Sequence, residues 1–139
     1  MNSPTDSSGI RFVDTTLRDG QLSLWASNMT TGMMLPVAER LDRAGFEAIE
    51  VMSSAFYKKC VRDLKDDPWE RLRRLAARIK RTPLRSIRSR SMLAFQLTAP
   101  AISDLWLARL AANGVGELRT SDPSNTPKYW RQAVDGAKR

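Results

Sequence analysis

The side chains best placed to do chemistry are Arg18 and Asp19, a guanidinium next to a carboxylate in Asp14-Thr15-Thr16-Leu17-Arg18-Asp19-Gly20. They follow directly on the short apolar run Ile10–Val13, which reads as a first strand. In a parallel α/β architecture the C-terminal end of a strand faces the ligand. The plainer alternative for Asp14, Arg18 and Asp19 is a strand-end turn closed by a local ion pair. A second reactive group is Cys60, set among Lys58, Lys59 and Arg62. Neighbouring cations can lower a thiol pKa. The chain contains no histidine to act as its base, and a half-buried helical cysteine explains the position as well.

These groups must be carried by a fold that 139 residues can build, which is one ordinary domain with a core. A hydrophobic fraction of 42% suits a globular protein. No apolar run is long enough to cross a bilayer, so no membrane partner is expected. Residues 1–9 are polar and Ser-rich, lack the apolar segment of a signal peptide, and read as a disordered leader. A single cysteine excludes an internal disulfide and fits a reducing, cytoplasmic setting. The formal net charge is +8, with much of the excess between Arg71 and Arg90. Such a run can hold a polyanion, or it can be the solvated face of a helix and the strand after it. Few aromatics interleave with these arginines, which argues against a nucleic-acid platform.

Short apolar runs at Ile10–Val13, Ala48–Met52, Leu84–Ile87 and Val115–Arg119 alternate with longer helical stretches. That alternation predicts βα units on a parallel sheet. The first helix is expected from about Gly32 to Ala44, with Thr30 or Thr31 as N-cap and Gly45 as the stop. Met34, Val37, Ala38 and Leu41 would form its inner face. Phe56, Cys60 and Leu64 form a short stripe. Asp67-Pro68-Trp69-Glu70 then starts a helix with Leu72, Leu75, Ala76 and Ile79 inside, and with Arg71, Arg73, Arg74 and Arg78 largely in solvent. Pro100 opens a further helix with Ile102, Leu105, Trp106 and Leu110 on its apolar side, ended by Asn113-Gly114. Lys128–Lys138 has weak helical character. The fold class is therefore α/β with about four βα units over residues 10–139. This is half of a (β/α)8 TIM barrel, which needs roughly 200 to 250 residues or more when whole.

Read in order, these segments resemble the carboxyltransferase domain of pyruvate carboxylase and oxaloacetate decarboxylase, within the superfamily of barrels that includes 3-hydroxy-3-methylglutaryl-CoA lyase. That family shows Asp-Thr-Thr-Leu-Arg-Asp-x-x-Gln-Ser and then Met-Leu-Pro-x-Ala-Glu-x-Leu-Asp. Here those pieces are Asp14–Asp19 with Ser23, and Met34-Leu35-Pro36-Val37-Ala38-Glu39-Arg40-Leu41-Asp42. The likeness continues through Gly45-Phe46, Ile49-Glu50-Val51, Asp67–Leu72 and Arg119–Asn125, and so covers nearly all of the chain after the leader. The order and spacing carry the resemblance more than any single piece.

The resemblance implies a divalent metal (Zn, Mn, Mg or Co) bound through Asp19, and biotin supplied by another domain or subunit. It implies Arg18 and Gln21 as catalytic groups, and Arg18, Arg88, Arg90 and Asp122 as binding groups for a keto acid such as pyruvate or oxaloacetate. A carboxylate is a hard ligand for a divalent ion, and a guanidinium beside it can stabilise a developing enolate. The sequence departs from the family pattern in three places. Leu22 stands where the family has its glutamine, with Gln21 one position early. Ser89 stands at the family's third-strand arginine, flanked by Arg88 and Arg90. The later modified lysine and His-x-His pair have no counterpart in a chain without histidine.

The resulting expectation is a truncated or split carboxyltransferase-family protein, poorly active as an isolated chain. Other readings stand beside it. A non-catalytic half-barrel would pair with a second copy or with a separate C-terminal half, because strand edges and one side of its core would be left uncovered. A retro-aldol lyase of the 3-hydroxy-3-methylglutaryl-CoA lyase kind shares the Arg-Asp site, and a polyanion binder would use the Arg71–Arg90 region.

Overall fold

The computed structural model of the chain describes residues 9–89, 98–121 and 126–138. Its strands are β1 (Val13–Asp14), β2 (Ala48–Ser53), β3 (Leu84–Ser89) and β4 (Glu117–Ser121). They form one parallel sheet in the order β1-β2-β3-β4. Consecutive order without reversal is the order of a barrel wall, whereas a doubly wound sheet reverses at a switch point. A π-helical turn, Thr16–Gly20, and a short helix α1 (Gln21–Trp25) follow β1. Then come α2 (Thr31–Arg43), α3 (Phe56–Arg62), α4 (Pro68–Arg78), α5 (Pro100–Ala112) and α6 (Pro127–Ala137). The architecture is the expected one, a segment of a TIM-type barrel.

Burial assigns the two faces of the sheet. Along β3, Leu84, Ser86 and Arg88 are buried and alternate with half-buried Arg85, Ile87 and Ser89, as a period of two requires. The apolar core lies between the sheet and the helices: Ile49, Val51, Met52 and Leu84 join Met34, Ala38, Leu72, Leu75, Trp106 and Leu110. Leu72 and Leu75 are fully buried, each worth about 1.5–3 kcal/mol relative to exposure. The register runs Glu50, Arg85, Glu117 across β2, β3 and β4, so a row of charges lies on one face of the sheet. The side of the half-barrel expected to be an uncovered core is thus charged rather than apolar.

Several expectations need correction. β1 is two residues rather than the run Ile10–Val13, and Ile10 and Phe12 are exposed. β4 begins at Glu117, because Val115 is held by a backbone bond to Leu110 at the end of α5. On α2, Leu35 is buried and Val37 exposed, so the inner face is rotated from the one expected. On α5, Ile102 and Leu105 are exposed while Trp106, Leu107 and Leu110 are buried. Apolar residues ring this helix, so spacing alone could not choose its inner face.

The largest correction is Arg71, expected in solvent and found fully buried. Its Nη2 donates to Asp66 Oδ2 at 2.8 Å and to the Met29 carbonyl at 3.1 Å, and its Nε donates to Thr31 Oγ1 at 2.9 Å. The guanidinium also lies 4.9 Å above the Phe56 ring. Asp66 in turn accepts from the Thr31 N–H at 2.9 Å and hydroxyl at 3.0 Å. The α2 N-terminus is therefore capped from a distant residue, and Thr30 makes no side-chain cap. Asp67 caps α4 as expected, accepting from the Trp69 N–H at 2.8 Å. At the other end of α2, the Asp42 carboxylate accepts from the backbone of Lys80, Arg81 and Thr82 at 2.8–2.9 Å, fixing the approach to β3. Gly114 turns from α5 toward β4 at φ +93°, and a Cβ there would meet Ala76 Cβ at 2.5 Å.

Candidate functional site

Asp14 ends β1 and closes a turn on itself. Its carboxylate accepts from the Thr16 N–H at 3.2 Å and from the Thr16 hydroxyl at 2.8 Å. The next turn is wound so that the N–H groups of Arg18, Asp19 and Gly20 all point at the Thr15 carbonyl, at 3.1, 2.8 and 3.0 Å. Buried Leu17 anchors this π-turn in the core. Such turns commonly occur where a functional side chain must be aimed.

Arg18 points toward β2. Its Nε donates to Glu50 Oε2 at 2.9 Å and its Nη2 donates to the same oxygen, while Nη1 donates to Asp19 Oδ1 at 2.8 Å. The Glu50 side chain is 1% exposed, and its second oxygen accepts from Arg119 Nη1 at 3.3 Å. Arg85 and Glu117 add a neighbouring pair, with Nε to Oε2 at 2.9 Å. A buried glutamate within β2 thus ties the turn after β1 to the middle of β4 through two arginines. Sequence reasoning did not assign Glu50 and Arg119 to the site. The signal was a lone carboxylate inside the otherwise apolar run Ala48–Met52, which needs a partner once buried.

Arg18 borders a cavity of about 420 Å³ whose wall includes Gln21, Leu22, Ser27, Met52, Phe56 and Lys59. Lys59 is a second cation on this wall that spacing alone had not singled out. Gln21 is buried, and its Oε1 accepts from the Met29 N–H at 3.3 Å, so it braces the loop after α1. Leu22, at the family's glutamine position, is half exposed on the same wall. Asp19 is half exposed beside Arg18. Arg88 is elsewhere: it is buried, donates from Nη2 to Ser103 Oγ at 2.9 Å, and borders a different cavity. Arg90, Asp122 and Asn125 lie outside the described residues.

Among the described residues no three Asp, Glu, Cys or His side chains converge as a metal site. Asp19 can offer one carboxylate, and its neighbour Arg18 already binds Oδ1. The described residues do not by themselves fit a divalent ion, which wants several oxygen ligands. Cys60 is fully buried, and burial pushes its thiol pKa up despite the opposing charge of Arg71. It is a packing residue. Part of the basic run is answered by carboxylates, since Arg71 pairs with Asp66, Arg73 with Glu70, Arg78 with Glu39 and Arg85 with Glu117.

The consecutive parallel strands, with an arginine at their C-terminal rim, define a wall segment of a TIM-type barrel. The chain is 37% identical over 131 residues to a pyruvate carboxylase subunit of Methanocaldococcus jannaschii, covering 94% of this chain and 23% of that protein. It is 34% identical to the 2-oxoglutarate carboxylase large subunit of Hydrogenobacter thermophilus, covering 93% and 20%. Among solved structures it superposes on the carboxyl transferase domain of Rhizobium etli pyruvate carboxylase, crystallised with 3-bromopyruvate. The TM-score is 0.85 at 23% identity, over 93% of this chain and 22% of that one. No protein-family model matches the chain. The chain is therefore a homologue of the carboxyltransferases of the pyruvate carboxylase type, and it spans about a quarter or less of the relatives it matches. No helix among the described residues is long and apolar enough to cross a membrane.

Proposed function

We propose that the Arg18 rim is part of a carboxyltransferase site for a keto acid of the pyruvate or oxaloacetate kind, with biotin carried by another domain or chain. The observation that carries this reading is the way Arg18 is held. Two of its nitrogens are fixed on buried Glu50, and Nη1 rests on half-exposed Asp19. An incoming carboxylate or enolate oxygen can displace Asp19 from Nη1 without moving the guanidinium. Loss of a carboxyl group from oxaloacetate breaks a carbon–carbon bond and leaves its electron pair on the enolate of pyruvate. A pre-aimed guanidinium in a partly closed cavity stabilises that charge, and Lys59 adds to the positive field. Asp19 would be one ligand of a divalent ion completed by groups beyond the described residues, and no step assigned to Arg18 depends on it.

The test is oxaloacetate turnover and keto-acid binding by the purified chain. Binding is expected to be lost in Arg18→Ala, and turnover is expected far below the roughly 10 s⁻¹ of a typical enzyme. Binding that survives Arg18→Ala would remove Arg18 from the site. Ordinary turnover would show that this chain suffices.

A second reading concerns assembly. β4 pairs with β3 alone among the described strands, and its residues Glu117–Ser121 are half-buried or exposed. An unpaired parallel edge is a template for another chain. A second copy or a separate chain carrying further strands would extend the sheet there. A compact monodisperse monomer in sedimentation would count against this.

A further inference from the structure

The cavity bordered by Arg88 shares no lining residue with the Arg18 cavity. It lies at the C-terminal ends of β3 and β4, has a volume of about 200 Å³, and is walled by Arg88, Ser89, Thr120, Ser121, Trp130 and Pro100. Arg88 is 7% exposed. Its hydrogen-bond partner among the described residues is the neutral hydroxyl of Ser103, and its Nε is buried with no partner among them. A buried guanidinium is costly unless its donors and its charge are answered, and the Ser103 hydroxyl leaves Nε without an acceptor. Burial pushes its pKa down from the ordinary value, and the charge of Asp104 opposes this. A guanidinium nevertheless stays protonated in proteins. The position therefore holds a cation with unused donor capacity on a small cavity whose walls carry hydroxyl groups.

We propose that this cavity binds a small oxyanion, a phosphate or a carboxylate, with Arg88 as its principal donor. The Arg88 guanidinium, which lines the cavity and whose Nε is left without an acceptor among the described residues, supplies the charge-assisted hydrogen bonds. Thr120 and Ser121 supply wall hydroxyls, and Trp130 completes the wall. The site is additional to the proposed keto-acid site and does not require it, since Arg18 takes no part.

The decisive readout is the ¹⁵N resonance of Arg88 Nε in the full 139-residue chain, titrated with inorganic phosphate in one arm and pyruvate in another. Sodium chloride at matched ionic strength is the control. A saturating shift of that resonance in either arm, absent in chloride, is the expected result, and the arm that saturates at lower concentration identifies the source of the anion. Arg88→Met should weaken binding by about tenfold or more while roughly preserving the length of the side chain. An Arg88 Nε resonance indifferent to both anions overturns the proposal. So does a folded Arg88→Met variant that binds as the parent does. If Arg88→Met does not fold, the parent's Nε titration decides alone.

Discussion

Replacing Glu50 by glutamine tests whether the carboxylate under Arg18 is what aims it. The exchange keeps the shape and one acceptor oxygen but removes a charge that is 1% exposed and bonded to two guanidinium groups. The two contacts are unequal. Arg18 is 13% exposed and donates twice to one oxygen, whereas Arg119 is 54% exposed and reaches the other at 3.3 Å. Removing one partner of a buried pair costs about 3–5 kcal/mol, and an exposed contact is worth about 0–1 kcal/mol. Arg18 keeps Asp19 after the exchange, which places Glu50→Gln near the low end, at about 3 kcal/mol. At about 4 °C per kcal/mol for a domain of this size, Tm should fall by about 12 °C. Arg119→Ala should cost no more than about 1 kcal/mol. The assay is urea unfolding followed by circular dichroism, with Asp19→Asn as a third arm expected to cost under about 1 kcal/mol. Glu50→Gln within about 1 kcal/mol of the parent, or an Arg119→Ala variant that loses as much as Glu50→Gln, would refute the view that Glu50 is the fixed support of Arg18.

Three further outcomes are expected. Arg71→Met should destabilise by about 3 kcal/mol in the same unfolding assay, because Asp66 loses its buried guanidinium and α2 loses part of its link to α4. Asp42 is a pH probe. Burial opposes its charge, but the N–H groups of Lys80, Thr82 and Arg81 overcome that and hold its carboxyl below the ordinary 3.8. Its contribution is complete above 3.8 and is lost as pH falls through the lower folded value, so Asp42→Asn should flatten the acid limb of a stability–pH curve. Gly114→Ala should cost about 2 kcal/mol or more in thermal unfolding, since φ is +93° and Ala76 Cβ is 2.5 Å from the new methyl.

Legibility in the sequence followed the range over which each feature is determined. The α4 start at Asp67-Pro68 was readable because a cap and its donor are two residues apart. The four βα units were readable because their periodicities are local. The burial of Arg71 was not legible because, beside nearby Asp66, its partners Thr31 and Met29 are about 40 positions away, and an arginine between solvated arginines gives no local sign of burial. The inner face of α5 was unreadable because apolar residues are spread around most of the helix. Within the site, Arg18 and Asp19 could be found from their place after a strand. Glu50 and Arg119 could not be joined to them, since contacts 32 and 69 positions apart in sequence form only once the parallel strands are in register.

The row of charges on the sheet explains how a barrel segment can hold its rim in shape. Glu50, Arg85 and Glu117 occupy one register line, with Arg18 and Arg119 reaching into it. An apolar surface at this position would drive collapse or indiscriminate pairing. Paired charges instead keep the surface wettable, and they link the turn after β1 to β2 and β4. The apolar core behind the sheet needs no contribution from this face, because the helices α2, α4 and α5 cover the other one. Stability and chemistry are thereby divided between the two sides of one sheet. Substitutions on the helix side should act on folding first. Exchanges among the half-exposed residues of the charged side, such as Asp19, should change anion binding while leaving the melting temperature nearly unmoved.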